Sequence, residues 1–159
     1  MEVLIPGVLI LHIFSMLMWF GSILIQYVFL SDIMDGHTAD NTKLWSMDLI
    51  GRMNKTILNI GLILAIVTGV SLIFIHGAEW FRPRTHVHIK ITLGLIAAGL
   101  SHMAMAKFRK ANELVRKENP TAADLTRFAG LMGSWKLFTT ITLVVLATIV
   151  ITAVFKFGL

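Results

Sequence analysis

The chain contains no cysteine. Disulfides, Fe–S clusters, thiolate-held metals and covalently attached c-type haem are therefore excluded. Any metal chemistry must use histidine, methionine, carboxylate or main chain. Acid is scarce as well, with nine Asp and Glu against fourteen Lys and Arg and a net charge of +5. Charged residues make up 14% of the 159 positions, where a soluble domain carries roughly 25%. The three prolines, Pro6, Pro83 and Pro120, fall at the edges of apolar stretches. No internal repeat or low-complexity segment interrupts the chain.

What is present in excess is apolar sequence: 56% hydrophobic residues and a mean hydropathy of +0.78. Four runs reach the ~20 residues that a bilayer-crossing helix needs. They cover about 4–30, 56–75, 87–106 and 135–155. The first lacks the basic start and small-residue cleavage site of a signal peptide, so it reads as a retained span. The reading is a single all-α domain over 1–159, a four-helix transmembrane bundle. With four spans, Lys43, Arg52, Lys55, Lys107, Arg109, Lys110, Arg116, Lys117, Arg127 and Lys136 share one side. Only Arg82, Arg84, Lys90 and Lys156 fall on the other. Ten against four places the first set in the cytoplasm and both termini outside, as a multi-pass protein of a bacterial-type inner membrane. The basic balance then reflects loops and membrane lipid, not nucleic acid.

Local signals set the helix ends. Pro83 suits the first turn of a helix beginning near Arg84. Arg109, Glu113 and Lys117, at i,i+4 spacing, extend that helix beyond the apolar run until Asn119–Pro120 stops it. Thr121 with Asp124 three residues on resembles a capping box, so the last helix starts near Ala122. The segment "DLIGRMNKT" reads as an amphipathic lead-in to the second span. Trp80, Phe81 and Trp135 read as interface anchors.

The polar residues of the spans mark the interesting faces. His12, Ser15, Trp19, Ser22 and Gln26 form one stripe at ~100° per residue. Lipid penalises such groups, so the stripe faces the bundle. Ser15, Ser22 and Gln26 suit ordinary helix–helix hydrogen bonding; His12 needs partners for two nitrogens. In the third span His88, Thr92, Gly99 and His102 share a face, which is expected to turn inward. His86 and Lys90 share the opposite one. His88 and His102 are about 21 Å apart along the axis, a spacing that suits stacked b-type haems, with Gly99 admitting a flat porphyrin between them. His12 and His88 would flank one haem at the outer end, and His76 and His86 lie at that end as well. His102 would look to Met53 or Met132, or to a hydrogen bond. His37 reads as a loop residue.

These residues resemble a family. "LHIFSMLMWFGSILI" is similar to the first-helix "LH…WF(A/G)G" of HemJ-type protoporphyrinogen oxidases and related CopD-like membrane proteins. "RMNKTILNIGLILAIVTGVSL" resembles their Arg-led second helix, and "HVHIKITLGLIAAGLSH" their third-helix "W-x-H-V-K…H" run, matching His88, Lys90 and His102. The resemblance implies a haem b-binding bundle of four or five helices in which His12 and Lys90 are the required positions. The family's last-helix "N-E-x-P" element has no counterpart in "GSWKLFTTITLV".

Four functions are expected from this sequence. The first is a b-haem electron-transfer protein with one or two haems. Its metal ligands would come from His12, His88 and His102, with Trp19 and Gly99 shaping the slot and Lys90, Arg82 and Arg84 pairing with propionates. A quinone or a partner protein would exchange electrons with it. The second is an enzyme oxidising protoporphyrinogen, with Lys90 or Arg52 on the substrate's carboxylates. The third is copper or other metal handling. The fourth, compatible with the first, is a small subunit of a larger membrane complex or a homo-oligomer.

Overall fold

A computed structural model describes residues 4–35, 40–77, 79, 82–117 and 119–154. It is all-helical, with no strand among the described residues. The elements are α1 (Leu4–Asp35), α2 (Asp40–Met53), a wide π turn (Asn54–Leu58), α3 (Asn59–His76), α4 (Thr85–Val115) and α5 (Ala122–Val154). Four stretches are long and apolar enough to cross a membrane: Leu4–Ser31, Thr42–His76, Thr85–Val115 and Ala122–Ala153. Their surface matches that composition. Ile10, Phe14, Leu17, Ile63, Leu95 and Val144 are all more than half exposed, a spread of apolar surface that water would not tolerate in a monomer.

The helix ends fall where the sequence puts them. α4 runs on through Val115, and α5 starts at Ala122. Its cap is reciprocal: Asp124 N–H donates to Thr121 Oγ1 at 3.2 Å, and Thr121 N–H to Asp124 Oδ2 at 3.1 Å. Lys117 turns to Asp124 at 2.7 Å instead of back to Glu113. The second span differs most. The lead-in is a full helix that passes through the π turn into α3 without a break. His37, Trp80 and Phe81 lie outside the described residues.

α1 lies antiparallel on α3, α4 on α5, and α1 and α5 join the two pairs; α3 and α4, although consecutive, barely approach each other. Gly61 makes the closest contact. A Cβ there would sit 2.8 Å from Trp19 N and 3.2 Å from Ser15 O, so α1 and α3 meet backbone to backbone. This is how membrane helices associate, because lipid supplies no hydrophobic gain and close packing decides. Two core layers follow. One joins Trp19, Ile23, Leu58, Ala65, Ala97, Leu146 and Ile149. The other joins Leu30, Met47, Ile50, Phe108, Met132 and Trp135. Trp135 is thus a core residue, 4% exposed and tilted against Phe108 at 6.4 Å, and not an interface anchor. It shares the inward line of α5 with Met132, Thr139, Thr142 and Leu146.

Burial is one-sided along the bundle axis. Among the described residues nothing is buried in 4–14, 69–77, 82–96 or 150–153. These four segments are the same end of the bundle. Burial begins at Ser15, Thr68, Ala97 and Ile149, and the end above that level, with no buried residue among the described ones, is the open end of the bundle.

Candidate functional site

His12 sits where the packed core gives way to the open end. Its ring is half-buried and faces α3, with Nδ1 2.9 Å from Thr68 Oγ1. Thr68 has one hydroxyl proton, and that proton goes to its own helix: Oγ1 donates to Leu64 O at 2.5 Å. With the hydroxyl proton given to the helix, Thr68 Oγ1 accepts from the imidazole, an arrangement that favours the Nδ1–H tautomer of His12 and leaves the lone pair on Nε2. Gly69 lies beneath the ring, and a Cβ there would be 3.1 Å from His12 Cε1. Thr68 and Gly69 were not singled out as site residues from the sequence. The signal was a Thr–Gly pair on the antiparallel helix at the depth of His12.

The rest of the stripe behaves as expected of span one. Ser15, Trp19, Ser22 and Gln26 are all buried. Gln26 Nε2 donates to Ser22 Oγ at 3.0 Å, and Ser15 Oγ to Leu11 O at 2.7 Å. Trp19 does not line a slot. It is core, and its indole N–H crosses to Ser101 Oγ on α4 at 3.1 Å, closing the floor beneath His12. Replacing Ser101 with Ala should leave that buried N–H without an acceptor. The expected cost is about 1 kcal/mol, read as a lowered melting temperature in detergent, with Ser101→Thr restoring most of it.

α4 presents its faces the other way round from the expectation. Its buried line is Ala97, Ser101, Ala104, Phe108 and Ala111. At ~100° per residue, His86 and Lys90 fall on this line and His88, Thr92, Gly99 and His102 fall opposite it. Exposure agrees: His86 and Lys90 are intermediate, and the other four are exposed. The physical reason is that close packing selected small residues, Ala97, Ser101 and Ala104, for the inward side. His102 consequently has no approach to Met132, which is buried in the core on the other side of α4.

His12 of α1 and His86 and Lys90 on the inward side of α4 thus lie toward the same end of the bundle, as do half-buried His76 and Arg84. His76 Nδ1 lies 2.8 Å from Leu72 O. Arg52, exposed on α2, is at the opposite end, about 24 Å along the helix from Thr68; Arg52 and Lys90 cannot share one small substrate. No three His, Cys, Asp or Glu converge as a metal group among the described residues.

Inside the packed half, Gln26, Asn54, Ser101, Thr139 and Thr142 surround a cavity with about 10 Å³ open to a water-sized sphere. That holds about one water and no porphyrin. The end of the bundle with no buried residue among the described ones is the end that holds His12.

No family model, curated protein or solved structure matches this chain.

Proposed function

We propose that the chain is a multi-pass membrane protein that binds haem b at its open end and passes electrons between a quinol or partner protein and an acceptor, as a small subunit of a larger membrane assembly. One observation carries this reading: His12 Nδ1 lies 2.9 Å from Thr68 Oγ1, whose hydroxyl also reaches Leu64 O, an arrangement that favours the Nδ1–H tautomer and leaves Nε2 for a ligand. Histidines that hold iron have their second nitrogen tied in this way. Haem would supply one-electron redox chemistry; the chain supplies its placement. His12 would ligate, Gly69 would seat its imidazole close against α3, and Lys90 and Arg84 would pair with the propionates. The Lys and Arg distribution would set the open end on the outer side of the membrane. The test is an optical spectrum of protein purified from a haem-replete host. A preparation without a Soret band after haem supplementation would sink the reading.

A second reading is favoured by the inward face of Lys90. A tetrapyrrole substrate carrying carboxylates would meet the same cation, as in protoporphyrinogen oxidation. Complementation of a strain lacking that oxidase separates the two: growth supports the enzyme, and failure with well-expressed protein counts against it.

A further inference from the structure

The packed half holds a polar joint that the chain's own hydrogen bonds do not complete. Gln26 of α1, Asn54 of the wide turn, Ser101 of α4 and Thr139 of α5 line its small cavity. Each of the four long apolar stretches thus contributes one polar side chain, and all four are more than nine-tenths buried. Gln26 gives one amide proton to Ser22 at 3.0 Å, and Ser101 accepts from Trp19 at 3.1 Å. Among the described residues the Gln26 side-chain carbonyl, the Asn54 side-chain amide and the Thr139 hydroxyl have no partner. Thr139 differs in this from its neighbours. Thr140 and Thr142 both return their hydroxyls to the carbonyl four residues back, at 2.8 Å.

Polar groups buried without a partner cost free energy, and inside a bilayer no bulk water relieves them. Gln26 and Thr139 each lie about 6 Å inside the nearer end of their apolar runs. The valences of the four side chains say what they need. Two carboxamides and two hydroxyls offer protons as well as lone pairs. A bare cation would satisfy the oxygens and leave the N–H and O–H protons without acceptors, and no carboxylate lines the cavity to balance its charge. Water donates twice and accepts twice, and a buried water takes about three such partners. The cavity has room for one.

We infer that this cavity is a binding site for one water molecule, held between Gln26, Asn54, Ser101 and Thr139, and that this water joins the α1–α3 pair to the α4–α5 pair. Within the first pair the helices meet main chain to main chain at Gly61. Between the pairs the Trp19–Ser101 bond is a direct polar link inside the membrane, and the water adds a second beside it. The site is independent of the haem reading, because Gln26 lies about 21 Å along α1 from His12.

Gln26 is the only glutamine in the chain, which gives a clean test. Protein isotopically labelled at glutamine alone is reconstituted in bilayers, and solid-state NMR times the transfer of proton polarisation from water to the Gln26 side chain. The double variant Asn54→Leu, Thr139→Val makes two polar walls apolar and larger, and leaves the Gln26–Ser22 bond untouched. Transfer should be at least several-fold faster in the parent. Thr139→Val alone, which keeps the side chain's shape, should slow it in the same direction, so the result does not hang on the folding of the double variant. Equal transfer in all three proteins, whether fast or slow, overturns the proposal. Melting in detergent should be the same in sodium, potassium and N-methylglucamine chloride at equal ionic strength. A rise of several degrees confined to sodium or potassium makes the occupant a cation and overturns the proposal as well. The Soret band of the same samples reports haem separately.

Discussion

His12→Ala should reduce bound haem to background and abolish the Soret band, while His88→Ala and His102→Ala leave both in place. The difference rests on faces. His12 is half-buried with Nδ1 held by Thr68, whereas His88 and His102 are on the exposed side of α4. The supporting residues grade the effect. Thr68→Val removes the hydroxyl that accepts from Nδ1 and keeps the side-chain volume; outer partners of this kind are worth about 10–100-fold in affinity. Gly69→Ala places a methyl 3.1 Å from the ring carbon, so the imidazole must tilt, and the band should weaken or shift without vanishing. The measurements are haem content per protein and the reduced-minus-oxidised spectrum. Loss of haem in His88→Ala with His12→Ala unaffected would refute the ligand assignment.

Gly61→Val should be the most damaging single substitution in the chain. The new Cβ would meet Trp19 N at 2.8 Å and Met18 Cβ at 3.1 Å, and a backbone atom cannot rotate away. Overpacking usually costs 1–3 kcal/mol; with main chain as the obstacle, ~3 kcal/mol or more is expected. α1 and α3 would separate, and the His12–Thr68 contact about 10 Å further along would go with them. Gly21→Ala is the control, because nothing lies within 4 Å of its Cβ and alanine favours helix by about 1 kcal/mol. Thermal unfolding in detergent should place Gly61→Val well below the parent and Gly21→Ala at or above it. Similar melting for the two would show that α1 and α3 do not touch through Gly61.

Much of the architecture was legible because length and composition alone set it. Apolar runs of about 20 residues, Pro83, and the Thr121–Asp124 cap located four long helices and the ends of the last two. The stripe from His12 to Gln26 also turned inward as its polarity required. Two things were not legible. The π turn leaves no distinct mark, since Met47, Ile50, Asn54, Leu58, Gly61, Ala65 and Thr68 follow an ordinary helical rhythm. The inward face of α4 was misjudged because polarity was weighed above size. In a membrane, Ala97, Ser101 and Ala104 were the stronger signal, and His86 and Lys90 went inward with them.

The wide turn at Asn54–Leu58 has a consequence for how the gene can change. Before it, Met47 and Ile50 pack against α4 and α5; after it, Gly61 and Thr68 pack on α1. One residue more than an α-helix needs sits between these two commitments. Loss of a single codon inside the turn would restore an unbroken α-helix with both halves still facing their partners. Loss of a codon elsewhere between Met47 and Thr68 would instead rotate one half by roughly 100° against the other, and either the packing of Met47 and Ile50 or the support of the imidazole would go. The wide turn is thus the one place in this stretch where the length can vary by one.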